Sequence, residues 1–554
     1  MAGFEPTTRR RNLERLAAES FDLLVIGGGI TGAGVAREAA LRGLTVGLVD
    51  ARDFAAGTSS RSSKLIHGGL RYLEQGEIAL VREAATERKV LRRIAPHLTE
   101  TAPMFVPVYG RTSAGVYKLR VGLALFDKLA AVAADERHRI LSRQEALAAE
   151  PCLNAERLQG AAVYPEYVTD DARLVLDTLK SAHHAGAAVV NHAPVVAIGG
   201  DARARRIEIR DAESGAPITV QARVVVNAAG PWVDVVQRMD ADAPGPVLHL
   251  TKGIHLVFRA EDLPVRHCVV MRARDGRPLF TVPRGTWVYV GTTDTSYAGP
   301  LEEPEVTAED AEYLFETLAR SFPDLRLAPE HVVGAWAGVR PLIQEEGRSP
   351  SEISRKDEIA VSASGLVTIA GGKLTTYRRM AERVVDAALP LLGRTSSAGR
   401  SGTELLAGGE PLDSAGHAPE TGGESTLPGD TWARLRTVHG SDAVEVRALA
   451  DDAAAWAPFA PDVPLSPAEV RHAVRREMAC TLADVLERRS RIALFATERA
   501  CAIAADVAVI VAAELGWSAE RRDREVAAFR RQCDARLGWR ASAPTGVAAS
   551  GGYA

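Results

Sequence analysis

The chain has 554 residues, of which 46% are hydrophobic and 25% charged, with a formal net charge of −4. That length suits roughly three to four domain-sized units of a soluble globular protein, and the charge balance removes the electrostatic reason to expect nucleic acid as a partner. Cys152, Cys268, Cys480, Cys501 and Cys533 are scattered without CxxC or Cys/His ligand spacing, so neither disulfides nor a metal site is expected, and a reducing cytoplasm fits.

Residues 1–20 read as an N-terminal arm. Arg9, Arg10 and Arg11 have no apolar run behind them, which points to a solvated arm or helix start rather than a secretory signal. Phe21 to Asp50 then reads as strand, glycine turn, helix and second strand. Gly27, Gly29 and Gly32 form G-x-G-x-x-G. The first permits the tight turn, the second lets backbone approach a pyrophosphate, and the third lets helix pack on strand. The helix is predicted over Ile30–Leu41, its N-terminus offering N–H groups to phosphate. Asp50 stands where a carboxylate binds a ribose hydroxyl.

The segment 57–77, GTSSRSSKLIHGGLRYLEQGE, mixes serines, glycines and basic residues with buried-type residues. It reads as a ligand-facing segment rather than a solvent loop. Residues 78–100 form a charged amphipathic helix, and 101–110 an extended, proline-marked stretch. The span 115–134 has apolar residues at helical spacing with Lys118, Arg120 and Lys128 among them. It is either an ordinary surface helix or a basic amphipathic one resting on an anionic membrane. Asp170 or Asp171 is the expected N-cap of a helix running to about Ala185. His183, His184 and His192 have no acidic or cysteine partner nearby in sequence and are not expected to bind metal.

A hairpin turning at Ser214-Gly215 feeds strand Val224–Asn227, followed by the small residues Ala228, Ala229 and Gly230. Residues 247–295 alternate as a β-meander. A helix capped by Thr307 follows over 306–322. Residues 331–342 form a strand entering a loop with Arg340. Residues 365–389 repeat the pattern of strand, Gly-Gly turn and helix around Gly372 and Lys373. Residues 393–430, rich in Gly, Ser, Pro, Glu and Thr, read as a linker. Residues 431–542 read as an all-α domain, with 501–517 as a buried core helix, and 543–554 as a disordered tail.

Taken together, the glycine-rich βαβ unit, TSSRSSKLIHGGLRYLE, NAAGPWVD, KGIHLVF, YVGTTD, GVRPL and GGKLTTYRRMAE resemble the FAD-dependent, aerobic glycerol-3-phosphate dehydrogenases of the D-amino-acid-oxidase-like flavoprotein superfamily. MACTLADVLERRSRI (478–492) is similar to that family's C-terminal domain. The resemblance implies an α/β fold: a Rossmann-like FAD-binding domain (21–100, 160–235 and 331–392), an antiparallel-sheet substrate domain (101–159 and 236–330), and a C-terminal all-α domain. FAD is the implied cofactor. Its implied contacts are Gly27, Gly29, Gly32, Asp50, Thr58, Ser59, Ser60, Ser63, Lys64, His67, Gly68, Gly69, Ala229, Gly230, Gly372, Lys373, Leu374 and Thr375.

The implied reaction is oxidation of sn-glycerol 3-phosphate at C2 to dihydroxyacetone phosphate. His255 is the implied base, and Arg340 and Lys373 the other catalytic residues. Arg71, Tyr72, Arg340 and Arg355 are the implied substrate contacts. Electrons would pass to a membrane quinone, with the protein on the cytoplasmic face of the membrane as a peripheral protein and a homodimer as an allowed assembly. A glycerol-3-phosphate oxidase that uses O2 and forms hydrogen peroxide remains the alternative.

Overall fold

The computed structural model describes residues 4–67, 77–112, 114–129, 132, 136–201, 204–240, 248–343, 357–395, 398–411, 429–450 and 452–543. Two sheets carry the site. The first is eight-stranded, with main order Asp357–Val361, Leu366–Gly371, Pro217–Asn227, Ser20–Ile26, Val46–Val49 and Ala188–Val190; the hairpin Val195–Gly200/Arg205–Arg210 joins it on Pro217–Asn227. Ser20–Ile26 pairs in parallel with Val46–Val49 on one side and Pro217–Asn227 on the other. Its last six residues are buried, as expected of a strand covered by helices on both faces. The helices Ile30–Leu41, Asp171–His184 and Tyr377–Ala388 give this sheet much of its core, among them Ala33, Val35, Ala36, Leu176, Ala381 and Val384.

The second sheet is ten-stranded and mostly antiparallel. Its long central pair is Leu248–Arg259 with Val332–Ile343, in register from Leu248↔Ile343 to His255↔Trp336. Leu158–Val168 belongs here as well, paired along its length with Glu100–Tyr109. This corrects the sequence-based division, which assigned 160–235 and 331–392 wholly to the cofactor domain. Strands Leu158–Val168 and Val332–Ile343 complete the substrate sheet instead, so the chain crosses between layers more often than its composition shows.

Three further expectations change. The N-terminal arm narrows to its helix-start reading: Pro6–Ala18 is a helix, and Arg9 is buried rather than solvated, with its Nη2 2.7 Å from Asp211 Oδ1. The presumed linker is packed where it is described. Arg37 Nη1 donates to the Ser401 carbonyl and Nη2 to that of Glu404, while Leu406 is fully buried. The late apolar stretch lies in helix Thr497–Leu515, which buries Ile503, Val507 and Val511 but exposes Val509 at 55%, so it is amphipathic rather than enclosed. The helix Ala308–Ser321 with its Thr307 cap is as expected from sequence.

The C-terminal helices are locked to the cofactor layer by buried charge. Arg488 Nε donates to Asp53 Oδ2 at 2.5 Å, and Arg489 Nη2 donates to Asp53 Oδ1 at 3.0 Å. Asn191 Nδ2 adds a further bond to Asp53 at 2.9 Å. Asp53 is completely buried. Replacing Asp53 with alanine removes the acid from buried Arg489, while Arg488 keeps Asp484 and Glu487, so a loss of about 3–5 kcal/mol is expected, read as a lower urea midpoint.

Candidate active site

The glycine turn of the first βαβ unit folds as its residues require. Gly27 has φ +112°, and a Cβ there would sit 2.5 Å from the Ala228 carbonyl oxygen. At Gly32 a side chain would collide with the Gly27 carbonyl, which is the close helix–strand approach expected of the third glycine. Helix Ile30–Leu41 starts at Gly29, with Ser59 Oγ accepting from Ile30 N at 2.9 Å. Asp50 accepts from Gly28 N at 2.6 Å and from Arg52 N at 2.8 Å. Burial raises its pKa, against the pull of those two N–H groups. The cradle therefore has the open backbone and the acid that a dinucleotide's phosphates and ribose need.

The serine-rich segment lies between this cradle and the second sheet. Thr58 Oγ1 donates to the Val339 carbonyl at 2.6 Å. Ser60 and Lys64 are buried, and Lys64 Nζ donates to the Ser60 carbonyl and to Asp171 Oδ1, each at 2.7 Å. The Lys64 ammonium thus pins the segment to helix Asp171–His184, so any contact from Lys64 to cofactor comes from its backbone. Asp171 Oδ2 also accepts from Ser62 Oγ at 2.7 Å. Asp171 was foreseen only as a helix cap; that cap is Asp170, and Asp171 anchors the loop.

Ser63 reaches the other sheet. Its Oγ is 2.9 Å from His255 Nε2. His255 is 2% exposed, stacked on Trp336 at 4.7 Å between centroids, and its Nδ1 is buried without a partner. Tyr289 OH donates to the Ser63 carbonyl at 2.9 Å, and Trp336 Nε1 donates to that of Ser62 at 3.3 Å. Burial, then the charges of Arg340 and Lys64, hold the His255 pKa well below 6.5. The imidazole is therefore neutral at neutral pH, with a lone pair on one ring nitrogen.

Arg340 enters from the neighbouring strand, in register with Thr251. Its Nη1 donates to Asp294 Oδ1 at 2.9 Å and its Nη2 to Thr292 Oγ1 at 2.9 Å. Gly253 makes room for it: a Cβ there would strike the guanidinium. Gly291 does the same for the His255 ring. Trp336, Tyr289, Thr292 and Asp294 carried no role in the sequence, because an aromatic or a threonine in a meander reads as ordinary strand.

The remaining expected residues fall in two groups. Ala229 and Gly230 close the end of Pro217–Asn227 beside the glycine turn, Gly230 at φ +55°. Gly372 has φ +84° with no room for a side chain beside Met380. Lys373 caps the short turn Leu374–Thr376, which leads into helix Tyr377–Ala388, and Thr375 Oγ1 donates to the His67 carbonyl at 3.4 Å. Two chain-distant parts of the expected cofactor site thereby meet. Gly68, Gly69, Arg71, Tyr72 and Arg355 lie outside the described residues.

Residues 22–378 match the FAD dependent oxidoreductase (DAO) family, and residues 377–522 match the C-terminal domain of alpha-glycerophosphate oxidase. The chain is 45% identical over 384 residues to the aerobic glycerol-3-phosphate dehydrogenase of Bacillus subtilis (strain 168), a match covering 69% of each chain. It is 44% identical to the enzyme of that name from Staphylococcus aureus (strain USA300), again over 69% of each. Among solved structures, the glycerol-3-phosphate dehydrogenase from Bacillus halodurans complexed with FAD has a TM-score of 0.80 and 32% identity, covering 96% of this chain and 98% of that one. With the glycine cradle, the acid at Asp50 and the second Gly-Gly turn in place, the chain belongs to the FAD-dependent oxidoreductases and, within them, to the aerobic glycerol-3-phosphate dehydrogenases.

Proposed function

We propose that the chain oxidises the C2 hydroxyl of sn-glycerol 3-phosphate to give dihydroxyacetone phosphate and delivers the electrons to a membrane quinone. The observation that carries this reading is the contact between His255 Nε2 and Ser63 Oγ, 2.9 Å across the junction of the two sheets. It sets a neutral, buried imidazole against the serine-rich segment, which in this reading faces the cofactor. Bound FAD supplies the two-electron acceptor for the hydride from C2. The protein must take the hydroxyl proton, and His255 does so at Nε2, the nitrogen turned toward Ser63. Arg340, held by Asp294 and Thr292, provides positive charge for substrate oxygens. Lys373, at the Gly-Gly turn, would hold the cofactor's ring end there and would supply a positive charge to it. Arg71, Tyr72 and Arg355 complete the proposed phosphate contacts.

The test is direct. Sn-glycerol 3-phosphate added anaerobically to the purified yellow protein bleaches the oxidised-flavin absorbance, and an unbleached spectrum refutes the activity. Quinone reduction without hydrogen peroxide then separates the dehydrogenase from the oxidase. Arg71→Ala is expected to raise KM for the phosphate ester by about tenfold or more, with bound flavin unchanged in its absorbance spectrum.

Helix Ala114–Leu129 supports a peripheral membrane position. Leu123 and Phe126 are buried, whereas Tyr117, Val121 and Leu125 are 69%, 51% and 46% exposed at four-residue spacing, a single apolar stripe. Lys118, Arg120 and Lys128 accompany it. No helix among the described residues is long and apolar enough to cross a membrane. Each basic residue near an anionic surface contributes about 1 kcal/mol. The triple variant K118Q/R120Q/K128Q is therefore expected to bind phosphatidylserine vesicles roughly 100-fold more weakly, and undiminished sedimentation with vesicles removes this helix from the membrane contact.

A further inference from the structure

Two groups of potential metal ligands exist among the described residues, both remote in sequence from the catalytic sheet. In the first, His192, Cys480 and Asp484 come together although no such partners stand near His192 in sequence. That group is already satisfied. His192 Nε2 is 2.9 Å from Asp484 Oδ2, Arg488 donates to Asp484 Oδ1 at 2.6 Å, and burial pushes the Cys480 thiol up, away from the thiolate a metal requires.

The second group differs in kind. His439 ends helix Gly429–His439, while His472 and Glu477 lie on helix Pro467–Glu477. All three side chains are buried, at 4%, 0% and 1% exposure. Both nitrogens of His439, both nitrogens of His472 and Glu477 Oε2 have no hydrogen-bond partner. Leaving a buried polar atom unpaired costs about 1–3 kcal/mol, and here five such atoms belong to three side chains in mutual contact. The imidazoles meet edge to face with centroids 4.8 Å apart. His472 Nδ1 is 3.4 Å and His439 Nδ1 is 3.7 Å from Glu477 Oε1. Neither contact is a formed hydrogen bond, since both nitrogens of each ring lack a partner. Ligand atoms on a tetrahedral ion are about 3.3–3.6 Å apart when the bonds are about 2.0–2.2 Å; the His472 separation lies in that range and the His439 separation just beyond it.

We propose that His439, His472 and Glu477 bind one divalent transition-metal ion, Zn2+ being the ion that suits two imidazoles and a carboxylate. Arg173 Nη1 bonds Glu477 Oε1 from the cofactor layer, which leaves Oε2 as the carboxylate oxygen without a partner. Acids surround the cations nearby: Asp177 and Asp170 lie near Arg173, whose own ion pair is with Glu477, and Asp442 bonds Lys180. Arg173 is on helix Asp171–His184, so the ion ties two C-terminal helices to the helix that anchors the serine-rich segment.

The experiment uses the full-length, FAD-loaded protein expressed with added zinc, passed through gel filtration and analysed by inductively coupled plasma mass spectrometry. About one zinc per chain is expected, falling at least tenfold in H439A/H472A with FAD content retained. Wild-type protein holding less than about one-tenth of an ion per chain overturns the proposal. So does zinc that persists undiminished in the double variant. If that variant does not fold, zinc-edge X-ray absorption on the wild type decides: a shell of two imidazoles and carboxylate oxygen supports the site, and a sulfur ligand overturns it.

Discussion

Replacing His255 with alanine is expected to slow anaerobic flavin reduction by glycerol 3-phosphate by about 10²–10⁴-fold, the usual contribution of a positioned base. Substrate affinity should change far less, since the part proposed for the ring is proton transfer. Stopped-flow absorbance measures this, and reduction at the wild-type rate removes the base assignment. The environment of His255 adds a pH signature. Burial, Arg340 and Lys64 depress its pKa well below 6.5. The acid limb of the reduction rate should therefore lie below pH 6.5, since the rate falls only when the folded imidazole takes up a proton. Stability carries the matching sign. Below pH 6.5 the unfolded chain binds a proton that folded His255 refuses, so stability is fully present above 6.5 and declines as pH falls toward the folded pKa.

Replacing Arg340 with methionine is expected to lower kcat/KM for glycerol 3-phosphate by about 10–100-fold, from the loss of a charged hydrogen bond worth about 1.5–3 kcal/mol. A second consequence follows from the same charge. Arg340 is one of the cations that depress the His255 pKa, so the acid limb should move up toward 6.5 in the variant. It should remain below 6.5, because burial is the larger cause and is unchanged. A fall in activity with no movement of the limb would show that Arg340 binds substrate without acting on the base. The Arg340→Lys variant should keep the limb near its wild-type place while losing the bidentate geometry on Asp294 and Thr292.

Much of this was legible from local pattern. The helix Ile30–Leu41 and its glycines follow from spacing, because a turn with φ +112° and a collision-limited approach at Gly32 admit little else. The Thr307 cap and the hairpin at Gly215 are likewise local, each resolved within a few residues. The roles of His255, Arg340 and the Gly372-Lys373 turn came from the family resemblance and not from local pattern; the structure puts His255 beside Ser63 and Thr375 beside His67.

What the sequence alone determined, then, are the features whose partners are near in the chain: turns, caps, helix faces and the dinucleotide cradle. Tertiary structure alone decided the rest. It drew Leu158–Val168 and Val332–Ile343 into the substrate sheet, paired Lys64 with Asp171 across 107 positions, and set Arg488 on Asp53 across 435. It also gathered His439, His472 and Glu477 with five unpaired polar atoms. The physical reason is that periodicity reports only which face of an element is buried. The partner that neutralises a buried charge is chosen by how the elements pack, since burial makes an unpaired charge costly wherever in the chain its counterpart happens to lie.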